Sequence, residues 1–249
     1  MYQFFTEPSQ INIPERRVFI LGEDVNHIRN VLRMKKGDEI NVSNGIDGNE
    51  YRCAILEFEE KKVICELRFI KEGSHELPVK VYLFQGLPKA DKMETIIQKN
   101  VELGVFTVIP VEMKRCVVKL DSKKARAKVS RWQAVSEAAA KQAKRGIIPQ
   151  IMTPMSYADA LKFAEENCDS ILIPYEMAED MKVTRKVMEE IKEGTSIAVF
   201  IGPEGGFDET EIQEALKTSA RTITLGSRIL RTETAGMTVM SILMYLTEQ

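Results

Sequence analysis

Histidine is almost absent from this 249-residue chain, with only His27 and His75 present. Its four cysteines, Cys53, Cys65, Cys116 and Cys168, form no CxxC pair. The Cys/His spacings that hold zinc are therefore missing, and no metal is expected. Four cysteines without a framework pattern read as reduced thiols in a cytoplasmic protein. No run of about 18 apolar residues occurs, so no membrane span is expected. Residues 1–10 lack the basic patch and apolar core of a signal peptide. The phosphate-loop pattern Gly-x-x-x-x-Gly-Lys-Ser/Thr and the dinucleotide pattern Gly-x-Gly-x-x-Gly are both missing, which disfavours an NTPase or a nucleotide-dependent oxidoreductase. There is no internal repeat and no low-complexity tract.

What is present is enough for a buried core: 44% of residues are hydrophobic and 29% are charged. The length suits one large domain or two modest ones. The net charge of −2 argues on its face against a nucleic-acid partner, but the charge is segregated. From Lys114 to Arg145 eleven basic residues oppose only Asp121 and Glu137, a local charge of 11 − 2 = +9. From Arg16 to Lys36 six basic residues oppose Glu23 and Asp24, giving 6 − 2 = +4. Such clustering is the footprint of a phosphate-backbone binder. The alternative for either cluster alone is a solvated helix face.

Residues 1–72 read as a small β-rich unit. One short helix is expected over 24–34, then strands over 39–43, 51–58 and 62–70, punctuated by Asn44-Gly45 and Asp47-Gly48 turns. Short strands at this spacing suggest a small barrel. A linker around 72–78 leads to a second domain, 73–249, where the rhythm changes. Strands are expected over 79–87, 105–111, 170–174, 196–201 and 222–225, and helices over 92–103, 122–144, 156–166, 180–192, 208–217 and 234–246. This alternation predicts an α/β fold with a parallel sheet covered by helices. The last helix is apolar almost all round, which predicts burial within the domain or in a subunit interface.

Two loops stand where open α/β sheets bind ligands, beyond the carboxyl ends of strands. The first is Gly202-Pro203-Glu204-Gly205-Gly206-Phe207-Asp208. Its glycines permit close backbone approach. Asp208 with Glu211 forms a capping box, and Phe207 with Ile212 a hydrophobic staple, so the loop is rigid at its far end. Glu204 would repel a phosphate, and a neutral or cationic small molecule fits better. The second loop, Leu225-Gly226-Ser227-Arg228-Ile229-Leu230-Arg231-Thr232-Glu233-Thr234-Ala235-Gly236, carries two arginines beside a carboxylate. It could bind an anion or hold a polarised base. The first loop alone could equally be a tight strand-to-helix turn, and the second an N-cap at Thr232 or Thr234 with a weak surface ion pair.

Together the two loops resemble the signature motifs of the ribosomal RNA small-subunit methyltransferase E family. Lys89-Ala90-Asp91-Lys92-Met93-Glu94, Glu102-Leu103-Gly104-Val105, Arg115-Cys116-Val117-Val118 and His27-Ile28-Arg29-Asn30-Val31-Leu32-Arg33 are also similar to that family, so the likeness covers nearly the whole chain. Asn100, Val101 and the run Gln142-Ala143-Lys144-Arg145 depart from its usual pattern. The resemblance implies a SPOUT-type domain with a C-terminal trefoil knot and a PUA-like N-terminal barrel. It also implies a homodimer, S-adenosylmethionine as cofactor, and N3 methylation of a uridine in the 16S ribosomal RNA of the small subunit.

On that footing the expected cofactor residues are Gly202, Pro203, Glu204, Gly205, Leu225, Gly226, Ile229, Leu230, Thr234 and Ala235. Arg231 is the expected charge stabiliser, because a guanidinium can donate to a developing oxyanion. Glu204 and Glu233 are candidate bases, or orienters of Arg231. RNA contacts are expected from Arg29, Arg33 and Lys36 in the small domain and from Arg115, Lys119, Lys144 and Arg145 beyond it. The rival readings are another SPOUT enzyme acting on transfer RNA or a ribose, and a non-catalytic RNA-binding assembly factor. Cofactor binding separates the two classes.

Overall fold

The computed structural model describes every residue except Ser74, which falls in the expected linker, Glu179 and Gln249. The chain divides into two compact units, one of residues 1–76 and 140–148, the other of residues 77–139 and 149–249.

The first unit is a six-stranded sheet. Its strands are β1 (Gln3–Phe5), β2 (Ile11–Asn12), β3 (Arg17–Leu21), β4 (Glu39–Ser43), β5 (Glu50–Phe58) and β6 (Lys62–Lys71), in the order β1-β4-β5-β6-β3-β2. Only β1 and β4 pair in parallel. Two register shifts along β5–β6 bend the sheet, as bulges do. The bend brings the two ends of the order together: just past β1, Thr6 Oγ1 donates to Phe19 O of β3 at 3.1 Å. Alternate strand residues, among them Val18, Ile20, Ile40, Val42, Ile55 and Val63, fill the interior. The expected helix over 24–34 is shorter and tighter, with α1 (Glu23–Asn26) running into a π-helical turn at His27–Val31. Arg33, at φ 54°, ends it.

The first unit also takes in residues 140–148. Residues 140–148, expected in the second domain, are tied to the first. Gln3 Nε2 donates to Arg145 O, Ile148 N donates to Gly45 O at 3.0 Å, and Lys141 Nζ meets Asp24 at 2.8 Å.

The second unit holds a parallel sheet of β7 (Lys80–Gly86), β8 (Thr107–Glu112), β9 (Gln150–Ile151), β10 (Met155–Ser156), β11 (Ser170–Pro174), β12 (Ser196–Ile201) and β13 (Ala220–Ile223). The order is β10-β8-β7-β12-β11-β13, with β9 also on β8. Around it stand α2 (Lys92–Glu102), α3 (Ser122–Gln142), α4 (Tyr157–Asn167), α5 (Met181–Glu189), α6 (Glu209–Ala215) and α7 (Thr232–Thr247). The central strands are apolar on both faces, as a covered parallel sheet requires. Phe84 of β7 stacks on Phe200 of β12 with ring centroids 4.3 Å apart. From β7 the chain steps outward to β8, then crosses to the far side for β11, β12 and β13. From the edge strand β13 it returns to lay α7 against α2 and β12, the path that the expected trefoil knot requires. Val239, Met240 and Leu243 of α7 are buried, whereas Tyr245 is exposed, so the helix buries one face and not its whole circumference.

All four cysteines are free. Burial pushes the Cys53, Cys65 and Cys168 thiols up to about 12, which keeps them protonated and unreactive.

Candidate functional site

The strand order reverses next to β7, and a doubly wound sheet opens a crevice at such a point. Here β7, β12, β11 and β13 all end on the same edge, and the loops that follow β11, β12 and β13 wall a cleft of about 810 Å³. That size lies within the ~300–1,000 Å³ common for small-molecule sites.

The wall after β12 is held in several ways. Gly86, at the end of β7, lies so close to it that a Cβ there would stand 2.7 Å from Pro203 N and Cδ. Glycine is needed at this position because the two backbones touch. At the far end the expected capping box is present: Asp208 N donates to Glu211 Oε2 at 2.9 Å. Glu211 is buried and also accepts from Lys114 N at 2.8 Å, so one carboxylate joins the segment after β8 to this loop. Phe207 and Ile212 sit together in the core. Arg115 Nη1 donates to Gly205 O at 3.0 Å.

The wall after β13 begins with Thr224, whose N–H donates to Thr184 Oγ1 of α5 at 2.9 Å. Gly226 then turns the chain at φ 106°, a left-handed conformation that side chains resist. Among the described residues no partner takes the backbone N–H of Leu225, Ile229 or Leu230, so these donors are open to a ligand. The loop closes into α7. Arg231 is the N-cap residue but supplies no side-chain cap. Thr232 places the first turn instead: its hydroxyl donates to Gly202 O at 2.6 Å and accepts from Gln85 Nε2 at 2.8 Å.

Charge in the cleft centres on Lys92, in the first turn of α2. Its ammonium lies 3.1 Å from Glu204 Oε1 and 3.4 Å from Glu233 Oε2. Burial pushes the Glu204 carboxyl up, but hydrogen bonds from its own backbone, from Lys92 and from Lys89 N–H outweigh it and hold the group below the usual carboxylate value. The hydrogen bond to Glu204, with further help from both carboxylates, holds the Lys92 ammonium above the ordinary lysine value. Lys92 and Glu204 are therefore both ionised at neutral pH.

Of the cofactor residues expected from the sequence, Gly202, Pro203, Glu204, Leu225, Gly226, Ile229, Leu230 and Ala235 line the cleft, and Arg231 does too. Gly205 and Thr234 do not. Gly205 backs onto Arg115, whose Cβ would be 3.1 Å from an added Cβ, and Thr234 lies one residue before Ala235 in α7 with its backbone carbonyl accepting from Thr238 Oγ1. Glu204 and Glu233 share Lys92 and not Arg231. The reading of the sequence missed Lys92 as a site residue, along with Tyr175 and Glu176 after β11 and Thr232.

The expected RNA residues are scattered in role. Arg33, Lys36, Lys119 and Lys144 are exposed. Arg29 is half-buried: it donates to Glu59 O, and its guanidinium lies 5.6 Å from the Phe58 ring centroid. Arg115 braces Gly205. Arg145 is corrected outright. It is 2% exposed, and its Nε donates to Glu76 Oε2 at 3.1 Å. The same carboxylate accepts from Gly146 N and Ile147 N, so Glu76 organises the 140–148 segment and Arg145 is turned inward with it. Among the described residues no group of three His, Cys, Asp or Glu is placed to hold a metal, and no helix is long and apolar enough to cross a membrane.

An RNA methyltransferase domain family matches residues 75–244, and an RNA methyltransferase PUA domain family matches residues 20–68. Ribosomal RNA small subunit methyltransferase E of Bacillus subtilis (strain 168) is 38% identical over an alignment of 252 residues, covering 100% of this chain and 98% of that protein. The chain belongs to the ribosomal RNA small subunit methyltransferase E family. A crystal structure of a methyltransferase E from Neisseria gonorrhoeae, bound to S-adenosyl methionine, is 28% identical with a TM-score of 0.82, covering 99% of this chain and 98% of that one. A Legionella pneumophila methyltransferase solved with its bound cofactor SAM is 29% identical with a TM-score of 0.78, covering 97% and 96%. The parallel α/β unit and the curled β unit of this methyltransferase E family member are thus the SPOUT and PUA-like parts that its motifs led one to expect.

Proposed function

We propose that this chain is an S-adenosylmethionine-dependent methyltransferase that modifies N3 of a uridine in 16S ribosomal RNA of the small subunit, in the cytoplasm, as a homodimer and without a metal. The observation that carries this reading is the cleft at the switch point of the sheet, walled by backbone on two sides and edged by Arg231. Family membership and the cofactor-bound relatives support it.

The residues fit the cofactor. Open backbone donors at Leu225, Ile229 and Leu230, apolar surface from Pro203, Leu225 and Met181, and a carboxylate at Glu204 suit an adenosine joined to a cationic amino acid. When bound, the cofactor supplies an electrophilic methyl group on sulfonium sulfur. The rest is the work of the chain. Gly202, Pro203 and the 225–230 loop orient the ligand and exclude water. Arg231, at the N-terminus of α7, donates to a uracil oxygen as negative charge spreads from N3. Glu204 is a weak proton acceptor, because hydrogen bonds from Lys92 and Lys89 N–H hold it ionised, and its role is to hold Lys92. Exposed Arg33, Lys36, Lys119 and Lys144, with the basic face of α3, attract the phosphate backbone. The outward face of α7 at Met237, Ile242, Tyr245 and Leu246 is the surface offered to a second copy.

The test is transfer of tritiated methyl from S-adenosylmethionine to small subunits purified from cells lacking this activity. Incorporation by the native protein, and little by Arg231→Ala, is expected. Tight cofactor binding without transfer would redirect the search to other RNAs. Neither binding nor transfer would leave the assembly-factor reading.

A further inference from the structure

We infer that Lys92 is a positioning residue that fixes Arg231 by tying the loop after β12 to the first turn of α7. The inference rests on the methyltransferase reading for its consequence, but the tie itself is independent of it.

Three observations converge. First, α7 begins without a side-chain cap. Its opening turn is therefore placed by tertiary contacts, since uncapped first-turn groups are otherwise left to solvent. Thr232 is held by Gly202 O and Gln85 Nε2, both from the strand side, and Glu233 makes a contact to α2, through Lys92. Arg231 stands next to both. Second, Lys92 does not reach across alone. Lys89 N–H donates to both oxygens of Glu204, at 3.1 and 3.3 Å, so Glu204 is gripped by the backbone and the ammonium of the same short segment. Ala90 lies inside that segment at φ 54°, a conformation unfavourable for alanine that persists only where surroundings impose it. Third, the opening turn of α2 is itself braced: Arg131 Nε of α3 lies 2.7 Å from Glu94 Oε1, and Lys128 Nζ lies 3.9 Å from Asp91. Lys92 is thus a fixed point, not a swinging surface lysine.

An isolated exposed ion pair would mean little. This is a three-charge network with each member partly shielded: side-chain exposures are 34% for Lys92, 27% for Glu204 and 20% for Glu233. Removing the ammonium leaves two carboxylates sharing one space, which drives the loop and the helix start apart. Arg231 moves with the helix start, and misplacement by about 1 Å costs on the order of 10²-fold in rate.

The experiment compares Lys92→Met and Lys92→Arg with the native protein in two readouts. Deuterium uptake is followed in a peptide spanning 229–237, and single-turnover methyl transfer to small subunits is measured at saturating cofactor. Lys92→Met should exchange the Thr234 and Ala235 amides, which donate to Arg231 O, about tenfold faster. Its single-turnover rate constant should fall on the order of 10²-fold, with the half-saturating subunit concentration unchanged. Lys92→Arg, which keeps a cation between the carboxylates, should recover protection and most of the rate. Native-like uptake in Lys92→Met overturns the inference, and so does an arginine variant no better than methionine. If the native protein transfers no methyl at all, the functional reading fails, while the uptake comparison still decides the tie.

Discussion

Replacing Gly86 by alanine adds one methyl group at the narrowest point between strand and cleft wall. The new Cβ would stand 2.7 Å from Pro203 N and Cδ and 2.9 Å from Met113 Sδ. Optimal carbon–carbon separation is about 3.5–4.0 Å, so Pro203 or the end of β7 must move by roughly 1 Å. The methionine can swing aside; the proline ring nitrogen belongs to the backbone and cannot. Overpacking of this kind costs about 1–3 kcal/mol. For a chain of this size each kcal/mol lowers Tm by roughly 2–4 °C, so a fall of about 2–12 °C is expected by calorimetry. Because Pro203 lines the cleft, cofactor affinity should fall more than stability alone explains, by about tenfold or more in a calorimetric titration. A Gly86→Ala protein with native Tm and native cofactor affinity would refute both the close approach and the placement of the wall.

Arg231→Ala should bind S-adenosylmethionine nearly normally yet lose about 10²–10³-fold in single-turnover methyl transfer; an unchanged rate removes its catalytic role. Arg145→Ala should destabilise the fold by about 3–5 kcal/mol, since it strands the Glu76 carboxylate, while the salt dependence of RNA binding stays native; the reverse pattern would restore Arg145 to the RNA surface. Ala90→Gly should raise stability by about 1 kcal/mol by relieving the positive φ, seen as a small rise in the urea midpoint. Glu204, Asp47, Asp169 and Asp208 are all held below their ordinary values by hydrogen bonds, from Lys92 and Lys89 N–H, Tyr51, Ser196 and Thr210 respectively. A depressed folded-state value contributes stability above the unfolded value and loses it as pH falls through the folded one. Urea midpoints from these groups should therefore hold from neutrality to about pH 5 and decline below about pH 4; a decline confined to pH 5–7 would contradict this.

Local signals were legible in the sequence where their cause was local. The Asp208–Glu211 capping box needs only residues three apart, and the structure contains it. Strand-helix alternation gave the parallel sheet, because apolar periodicity records burial directly. Failures fall where partners are distant. Arg145 lies in a basic run, and nothing nearby in sequence signals that Glu76, 69 residues earlier, neutralises it. Lys89 and Lys92 belonged to a motif, but their grip on Glu204 spans 115 residues for Lys89. Gly205 looked like its neighbours in a glycine-rich loop; its direction, onto Arg115 and away from the cleft, depends on the turn's geometry. Strand β3 opens on a charged residue, Arg17, yet its Val18 and Ile20 fill the barrel.

The most direct test of the central claim is nucleoside mass spectrometry of 16S ribosomal RNA after incubating unmodified small subunits with this protein and S-adenosylmethionine. The account predicts 3-methyluridine as the new product, lost with Arg231→Ala. A methyl on ribose or on a different base, or none despite a saturated cofactor cleft, would contradict it.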